Sequence, residues 1–173
     1  TGPIAVGYVD SDYARCPDTR KSTLGYVFLS QGGPISWKSA KQKLIAQSTA
    51  EAEYCAATEA AKTIKWVTSL VKFMMPKLKL APALMYEDNA ACRSMVTCTQ
   101  ISGRNKHFDL KLHFIREVFQ AGLLLLKEVG TAEQIADIFT KSLARPAFET
   151  HRSSLMHGIT LEVITGAPTE GGC

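Results

Sequence analysis

Two glutamates lie two positions apart in the stretch STAEAEY at residues 48–54, where an alanine-rich run begins. Ser48 and Glu51 have the spacing of a capping box, in which the hydroxyl accepts from a free backbone N–H and the carboxylate reaches back to the cap. Glu51 is therefore predicted to stabilise the start of a helix. Glu53 begins a stripe, at 53, 57, 60, 64, 67 and 71, whose other members are apolar. Glu53 either turns aside to solvent or, on the buried face, requires a partner, water or a metal ion.

Three further acids stand where predicted elements begin or end. Asp10 ends the first predicted strand, Asp88 ends the fourth, and Asp137 lies in the first turns of the helix predicted after the fifth. Each alone has an ordinary explanation as a loop or polar-face residue. With Glu53 they would meet at one end of the sheet, where four carboxylates cannot all stay ionised without cations. Mg²⁺ or Mn²⁺ would satisfy them, and two such ions about 3.5–4 Å apart serve in-line displacement at phosphorus.

The elements that must position these acids follow from hydrophobic periodicity and turn residues. IAVGYVDSD predicts a strand ending near Asp10, and LGYVFLS and PISWK predict two strands joined at QGG, where the glycine pair supplies positive φ. A long helix is predicted from Thr49 to Phe73. The later segments are predicted, in chain order, as strand ALMYED, helix NAACRSMV, helix FDLKLHFIREVFQAG, strand LLLLKEV, helix AEQIADIFTKSL and a final helix over 147–156.

This order predicts an α/β fold with a five-stranded mixed sheet flanked by helices. Three antiparallel strands come first, and β4 and β5 then run parallel to the first strand. Sites in such sheets form at the carboxyl ends of the parallel strands. We expect one domain over residues 1–158 and a partly disordered C-terminal extension over 159–173.

Composition limits the class of protein. The 173 residues are 46% hydrophobic and 21% charged, which is typical of a globular chain. No apolar run reaches the roughly 18 residues of a membrane span, and no signal peptide is visible, so we expect no membrane partner. The five cysteines form no C-x-x-C pair, which favours a reduced, intracellular setting. The net charge is +4, and its basic groups suit either a solvated surface or a polyanion.

Several motifs, in order from about Val6 to Gly158, resemble those of the ribonuclease H domain of copia-type LTR retrotransposon polyproteins. The matching segments are GYVDSDYA, CPDTRKSTLGYVF, ISWKSAKQ, STAEAEY, YEDNAA, NKHFD, HFIRE and EQIADIFTKSLARPAFE. The resemblance implies a ribonuclease H-like fold with the element order predicted above. It also implies that Asp10, Glu53, Asp88 and Asp137 are the catalytic, metal-binding acids.

The resemblance further implies an endonuclease that cuts the RNA strand of RNA–DNA hybrids during reverse transcription. Two Mg²⁺ ions would be the cofactors, with Mn²⁺ as a substitute, and the products would carry 5′-phosphate and 3′-hydroxyl ends. The partners implied are the hybrid and the reverse transcriptase polymerase domain of the same polyprotein, in a cytoplasmic virus-like particle.

Residues for the substrate are expected beside the acids and in the basic groups. Ser11, Thr49 and Asn89 neighbour the acids, at positions that touch the RNA strand in ribonucleases H. Arg20, Lys21, Lys38 and Lys41 are candidates for nucleic-acid phosphates, or else they are solvated side chains.

The chain departs from the family pattern at the loop before the last catalytic helix. Many ribonucleases H have a histidine there, whereas this loop reads EVGTAEQ. Arg15 and Asn105 are smaller departures. An alternative is therefore a weak or inactive module that binds hybrid or supports the polyprotein, and a third is integrase or exonuclease chemistry on DNA.

Overall fold

The computed structural model describes residues 2–97 and 106–157, the side chains of 106–110 and 112 excepted. It contains five strands, four α-helices and two short 3₁₀ helices. The strands are β1 (Val6–Asp12), β2 (Thr23–Ser30), β3 (Gly33–Lys41), β4 (Ala83–Glu87) and β5 (Leu124–Glu128). The α-helices are α1 (Thr49–Met74), α2 (Ala90–Thr97), α3 (Lys106–Gln120) and α4 (Arg145–His157).

The five strands form one mixed sheet in the order β3-β2-β1-β4-β5. β1 and β2 pair antiparallel, as do β2 and β3, whereas β4 runs parallel to β1 and β5 runs parallel to β4. This is the mixed sheet that the sequence predicts. It places the carboxyl ends of β1, β4 and β5 at one edge.

Apolar side chains cover both faces of the sheet, because residues of a strand alternate between faces. On one face, Tyr26 and Phe28 pack with the buried alanine stripe of α1 and with residues of α2 and α3. On the other face, Val27 and Leu29 pack with Ile135 and with Leu155 of α4. The helices thus form a layer on each side of the strands.

The start of α1 follows the predicted cap with one difference. Ser48 Oγ accepts from the N–H of Glu51 at 3.2 Å, as in a capping box. The Glu51 carboxylate accepts from the N–H of Gln47 at 2.8 Å and not from that of the cap residue itself. Glu51 therefore stabilises the start of the helix, but through Gln47, the residue before the cap.

The hairpin turn between β2 and β3 differs in which residues take positive φ. Gln31 has φ 51° and Gly32 has φ 81°, so the two central residues carry the left-handed conformation. The prediction that the pair Gly32 and Gly33 would supply it was wrong by one position. A two-residue turn that matches the strand twist needs positive φ at both of its central residues.

The segment after β5 is not the regular helix that its apolar spacing predicts. It forms two 3₁₀ helices, Thr131–Glu133 and Ile135–Phe139, and is called here the 3₁₀ segment (residues 131–139). The buried Gln134 lies between them, and its Nε2 donates to the carbonyl of Val9 at 2.9 Å. This hydrogen bond ties the segment to β1.

Among the cysteines within the described ranges, Cys16, Cys55 and Cys92 are free thiols. No helix in the described ranges combines the length and apolar character needed to cross a membrane. The predicted extension at 159–173 and Asn105, one of the departures from the family pattern, lie outside the described residues.

Candidate active site

The carboxyl ends of β1 and β4 form the crevice in which the predicted acids lie. β1 and β4 pair through Tyr8 and Tyr86, and their pairing ends there. Asp10 lies two residues further along β1, opposite Gly25 of β2, and Asp88 directly follows β4. Glu53 comes from the first turns of α1, which packs against β1 and β2.

Three of the four predicted acids converge in this crevice. Asp10, Glu53 and Asp88 each place a carboxylate oxygen so that all three oxygens lie within 4.8 Å of one another. Asp10 and Glu53 are each only 4% exposed, and Asp88 is half-buried. Residues from three distant parts of the sequence therefore share one small, largely buried site.

Asp137, the fourth predicted acid, lies beside this trio but not within it. It is buried in the 3₁₀ segment, and its carboxyl raises the pKa of Asp10 through its charge and a hydrogen bond, adding to the larger effect of burial. Asp137 Oδ1 lies 2.8 Å from Nζ of Lys141. Asp137 thus lies next to Asp10, while its Oδ1 is paired with the ammonium group of Lys141.

Glu53 is the acid whose surroundings are most compatible with a bound cation. Burial, followed by the charges of Glu87, Asp10 and Asp88, raises the pKa of Glu53 to about 11. Its Oε2 is buried and has no hydrogen-bond partner among the described residues. A buried carboxylate without a partner is costly. Three carboxylates and this orphan oxygen are the hard donors that a divalent cation such as Mg²⁺ prefers, so the residues fit a metal site.

Glu87, which precedes Asp88 in the sequence, is a further buried acid at the site. It is fully buried at the end of β4, and its Oε1 accepts from the N–H of Asn89 at 3.0 Å. Burial, together with Asp88 and Asp10, raises the pKa of Glu87 to about 8, although the Asn89 hydrogen bond opposes the rise. Glu87 therefore adds to the excess of carboxyl groups behind the trio.

Hydroxyl groups from the segment after β5 hold two of the acids. Thr140 Oγ1 donates to Asp10 Oδ2, and Thr131 Oγ1 donates to Asp88 Oδ2 at 3.3 Å. Sequence analysis did not single out Thr140, Thr131 or Lys141 as site residues. The spacing of Lys141 from Asp137, four positions apart, was the available signal for that pair.

The three polar residues predicted to touch RNA have different surroundings. Ser11 is buried, and its hydroxyl accepts from Nε2 of Gln42 at 3.1 Å. The Asn89 side chain accepts from the N–H of Cys92 at 2.9 Å and so satisfies a free amide at the start of α2. Thr49 is exposed at the first residue of α1. Thr49 is therefore the most exposed of the three residues. Substrate contact stays a prediction for all of them.

The predicted phosphate-binding lysines border a groove next to the site. Lys38 Nζ lies 3.2 Å from Glu59 of α1, and Lys41 Nζ lies 3.2 Å from Cys16 Sγ. Both lysines line a groove of about 580 Å³ between β3, the loop after it, α1 and α3. Its charged lining consists of Lys38, Lys41, Lys43, Lys62, Lys111 and Glu59. Arg20 is exposed and Lys21 half-buried in the loop before β2, and neither lines the groove.

The loop before the 3₁₀ segment has no histidine, but α4 carries His151 at a buried position. Burial, followed by the charge of Lys141, lowers the pKa of His151. His151 is thus within the electrostatic influence of the ammonium group that pairs with Asp137.

Comparisons of sequence support a common ancestry with transposon polyproteins. The chain is 38% identical over 147 residues to the retrovirus-related Pol polyprotein from transposon TNT 1-94 of Nicotiana tabacum, covering 85% of the chain and 11% of the polyprotein. It is 35% identical over 153 residues to the corresponding polyprotein from transposon RE1 of Arabidopsis thaliana, covering 88% of the chain and 10% of the polyprotein. The chain thus spans about a tenth of the length of these curated relatives. No family model matches it.

Comparisons of structure identify the fold. The ribonuclease H1 of Halobacterium salinarum superposes with a TM-score of 0.56 at 16% identity, covering 79% of this chain and 93% of that one. The N-terminal ribonuclease H domain of a Mycobacterium tuberculosis protein superposes with a TM-score of 0.58 at 10% identity, covering 88% and 99%. LC11 ribonuclease H1, solved in complex with an RNA/DNA hybrid, gives 0.56 at 15% identity, covering 79% and 93%. The chain is thus related to the retrovirus-related Pol polyproteins of transposons and has a ribonuclease H-like fold, which is consistent with the ribonuclease H domain of copia-type polyproteins that its motifs resemble.

Proposed function

We propose that this domain hydrolyses the RNA strand of RNA–DNA hybrids during reverse transcription of a retrotransposon. The observation that supports this most strongly is the convergence of Asp10, Glu53 and Asp88 within 4.8 Å, with a buried, unpartnered oxygen on Glu53. The site lies at the carboxyl ends of β1 and β4 in a ribonuclease H-like fold. The hybrid bound to LC11 ribonuclease H1 agrees with the substrate class proposed here.

In this proposal Asp10, Glu53, Asp88 and Asp137 hold two Mg²⁺ ions, with Mn²⁺ as a substitute. When bound, the ions stabilise the charge on the attacking and leaving oxygens of an in-line displacement at phosphorus. The residues of the chain orient that site: Thr140 holds Asp10 through its hydroxyl, and Thr131 holds Asp88. The products would carry 5′-phosphate and 3′-hydroxyl ends.

The groove beside the site is proposed to bind the phosphates of the hybrid. Five lysines and one glutamate give its lining an excess of positive charge next to the acidic trio. Positive side chains on a nucleic-acid path neutralise phosphates and release counterions. The polymerase domain of the same polyprotein is the proposed partner, and a retrotransposon particle in the cytoplasm is the proposed setting.

The decisive experiment compares single carboxylate variants on a labelled RNA–DNA hybrid with Mg²⁺. Asp10→Asn and Asp88→Asn are expected to lose RNA-strand cleavage while hybrid binding persists. Asp12→Asn is the matched control, because Asp12 lies two residues from Asp10 but pairs with Arg15 at 3.3 Å. Equal cleavage by all four proteins would disprove the assignment of the site. Tight hybrid binding without cleavage in millimolar Mn²⁺ would instead support the non-catalytic module, and cutting of duplex DNA would support the third alternative.

A further inference from the structure

Lys141 makes a close ion pair with Asp137, the predicted acid that lies outside the trio. Its Nζ lies 2.8 Å from Asp137 Oδ1, and the two side chains are 28% and 7% exposed. The turn that ends the 3₁₀ segment produces this contact, since the N–H groups of Thr140 and Lys141 both donate to the Asp137 carbonyl at 3.1 Å. Because Asp137 is nearly buried, solvent screens this pair less than it would a surface pair.

The ammonium of Lys141 also faces the rest of the acidic site. Its positive charge acts on Asp10 and Glu53 as well as on Asp137, and Asp88 acts on it in turn. One monovalent cation therefore partly neutralises the carboxylates in the protein without metal. Lys141 thus interacts both with Asp137 and with the trio of Asp10, Glu53 and Asp88.

We propose that Lys141 is a positioning residue of the metal site, a resident counter-ion that holds Asp137 outside the acidic trio until a divalent cation displaces it. This inference rests on the proposed function, since it concerns how the same acids take up metal. A metal ion that contacts both the trio and Asp137 would compete with Lys141 for the Asp137 carboxylate. Loading then requires the ammonium to leave Asp137. Lys141 stabilises the metal-free fold and weakens the affinity for the ion.

The test measures Mn²⁺ binding by isothermal titration calorimetry and thermal unfolding, each with the whole chain. Lys141→Met keeps the length of the side chain and removes its charge. We expect Mn²⁺ to bind about threefold to tenfold more tightly, because a positive charge close to the divalent ion is gone. The Tm of the metal-free variant is expected to fall, because Asp137 loses its partner, and the rise in Tm on adding Mn²⁺ is expected to exceed that of the wild type.

Two control variants separate this effect from general loss of charge or of folding. Lys141→Arg keeps the charge and is expected to bind Mn²⁺ with nearly wild-type affinity. Lys72→Met removes one positive charge about 28 Å along α1 from Glu53 and is expected to leave both readouts unchanged. If Lys141→Met does not fold, the same comparison between wild type and Lys141→Gln decides the matter.

The outcomes distinguish this inference from the proposed function. Weaker or unchanged Mn²⁺ affinity in the uncharged variants, with wild-type hybrid cleavage intact, would overturn the role of Lys141 and leave the nuclease proposal standing. If Lys141 only supported the position of Asp137, removing its charge would weaken Mn²⁺ binding, because Asp137 would lose that support. A wild-type protein that binds no Mn²⁺ and cuts no hybrid would overturn both.

Discussion

The hydroxyl of Thr140 donates a hydrogen bond to Asp10 Oδ2, joining two residues that lie 130 positions apart in the chain. Burial raises the pKa of Asp10, and this hydrogen bond opposes the rise. Thr140 follows the 3₁₀ segment, whose approach to β1 is what brings the hydroxyl to Asp10. The residue therefore connects the packing of that segment to the charge state of a proposed metal ligand.

Thr140→Val should move the acid limb of the pH–rate profile to higher pH. Valine keeps the shape of threonine but cannot donate, so the pKa of Asp10 rises and the ionised form is lost at a higher pH. We expect kcat/KM for hybrid cleavage near neutral pH to fall about tenfold, equivalent to about 1.4 kcal/mol. Thr140→Ser retains the hydroxyl and should keep the wild-type profile. An unshifted pH–rate profile in Thr140→Val would show that Thr140 does not influence the ionisation of Asp10.

Glu53→Gln and Glu51→Gln should have different consequences, although they make the same change at residues only two positions apart. Glu53→Gln removes a donor of the proposed metal site, so cleavage should fall about 10²-fold or more. Glu51→Gln weakens only the helix start, and its cost should be under about 1 kcal/mol in the free energy of unfolding, with cleavage retained. Rates on a labelled hybrid and urea unfolding measure the two effects. Comparable loss of cleavage in both variants would contradict the division of roles.

The stability of the metal-free protein should fall as pH rises from about 5.5 to 7.5. The pKa values of Glu53 and Glu87 are raised from 4.5 to about 11 and about 8 by burial and neighbouring acids, so the folded state holds protons that the unfolded state releases. In that window the unfolded state binds fewer protons, and stability therefore decreases with pH, by up to about 1.4 kcal/mol per pH unit for each group. Urea unfolding in EDTA measures the slope. Glu53→Gln should reduce it, and a slope equal to that of the wild type would count against the buried, protonated Glu53.

Gly25→Ala should damage both stability and cleavage, because Gly25 lies where the 3₁₀ segment crosses the sheet. A Cβ at this position would meet Thr140 Cγ2 at 2.6 Å and Phe139 Cβ at 2.8 Å. Such overpacking costs about 1–3 kcal/mol in the free energy of unfolding, and here it would also push Thr140 away from Asp10. Gly33→Ala is the control, since a Cβ there meets nothing within 4 Å. Wild-type stability in Gly25→Ala would mean that the segment packs less closely than described.

Hybrid affinity should respond in opposite directions to two changes in the lysine-lined groove. Lys41→Met should weaken binding and reduce the slope of log K against log salt by about one, as for the loss of one phosphate contact. Glu59→Gln should tighten binding, because Glu59 holds Lys38 at 3.2 Å and Lys62 at 2.5 Å. Lys72→Met at the far end of α1 is the control for net charge. Fluorescence anisotropy across salt concentrations measures all three, and equal affinity among them would exclude the groove from the binding path.

Local sequence was sufficient for the five strands and the four α-helices, and for naming the acids as candidates. The cap at Ser48, the alternation in β1 and β2 and the stripe of α1 depend on near neighbours and on side-chain period, so the order of elements and the mixed sheet could be predicted. The same reasoning placed Glu53 and Asp88 at the ends of elements, whereas β1 continues two residues past Asp10, to Asp12. In the structure, Asp10, Glu53 and Asp88 lie close together.

Tertiary contacts decided the rest. The apolar spacing around Ile135 fits an α-helix and a 3₁₀ helix about equally. The tertiary contacts of the segment are the hydrogen bond of Gln134 to the carbonyl of Val9 and the close approach of Phe139 and Thr140 to Gly25. Whether Asp137 would join the trio or pair with Lys141 depended on distances of a few ångströms between groups remote in sequence. Electrostatic energies vary steeply with such distances and with burial, which side-chain periodicity does not encode. The sequence by itself thus determined which residues could form the site, and the packing of the chain determined which of them meet.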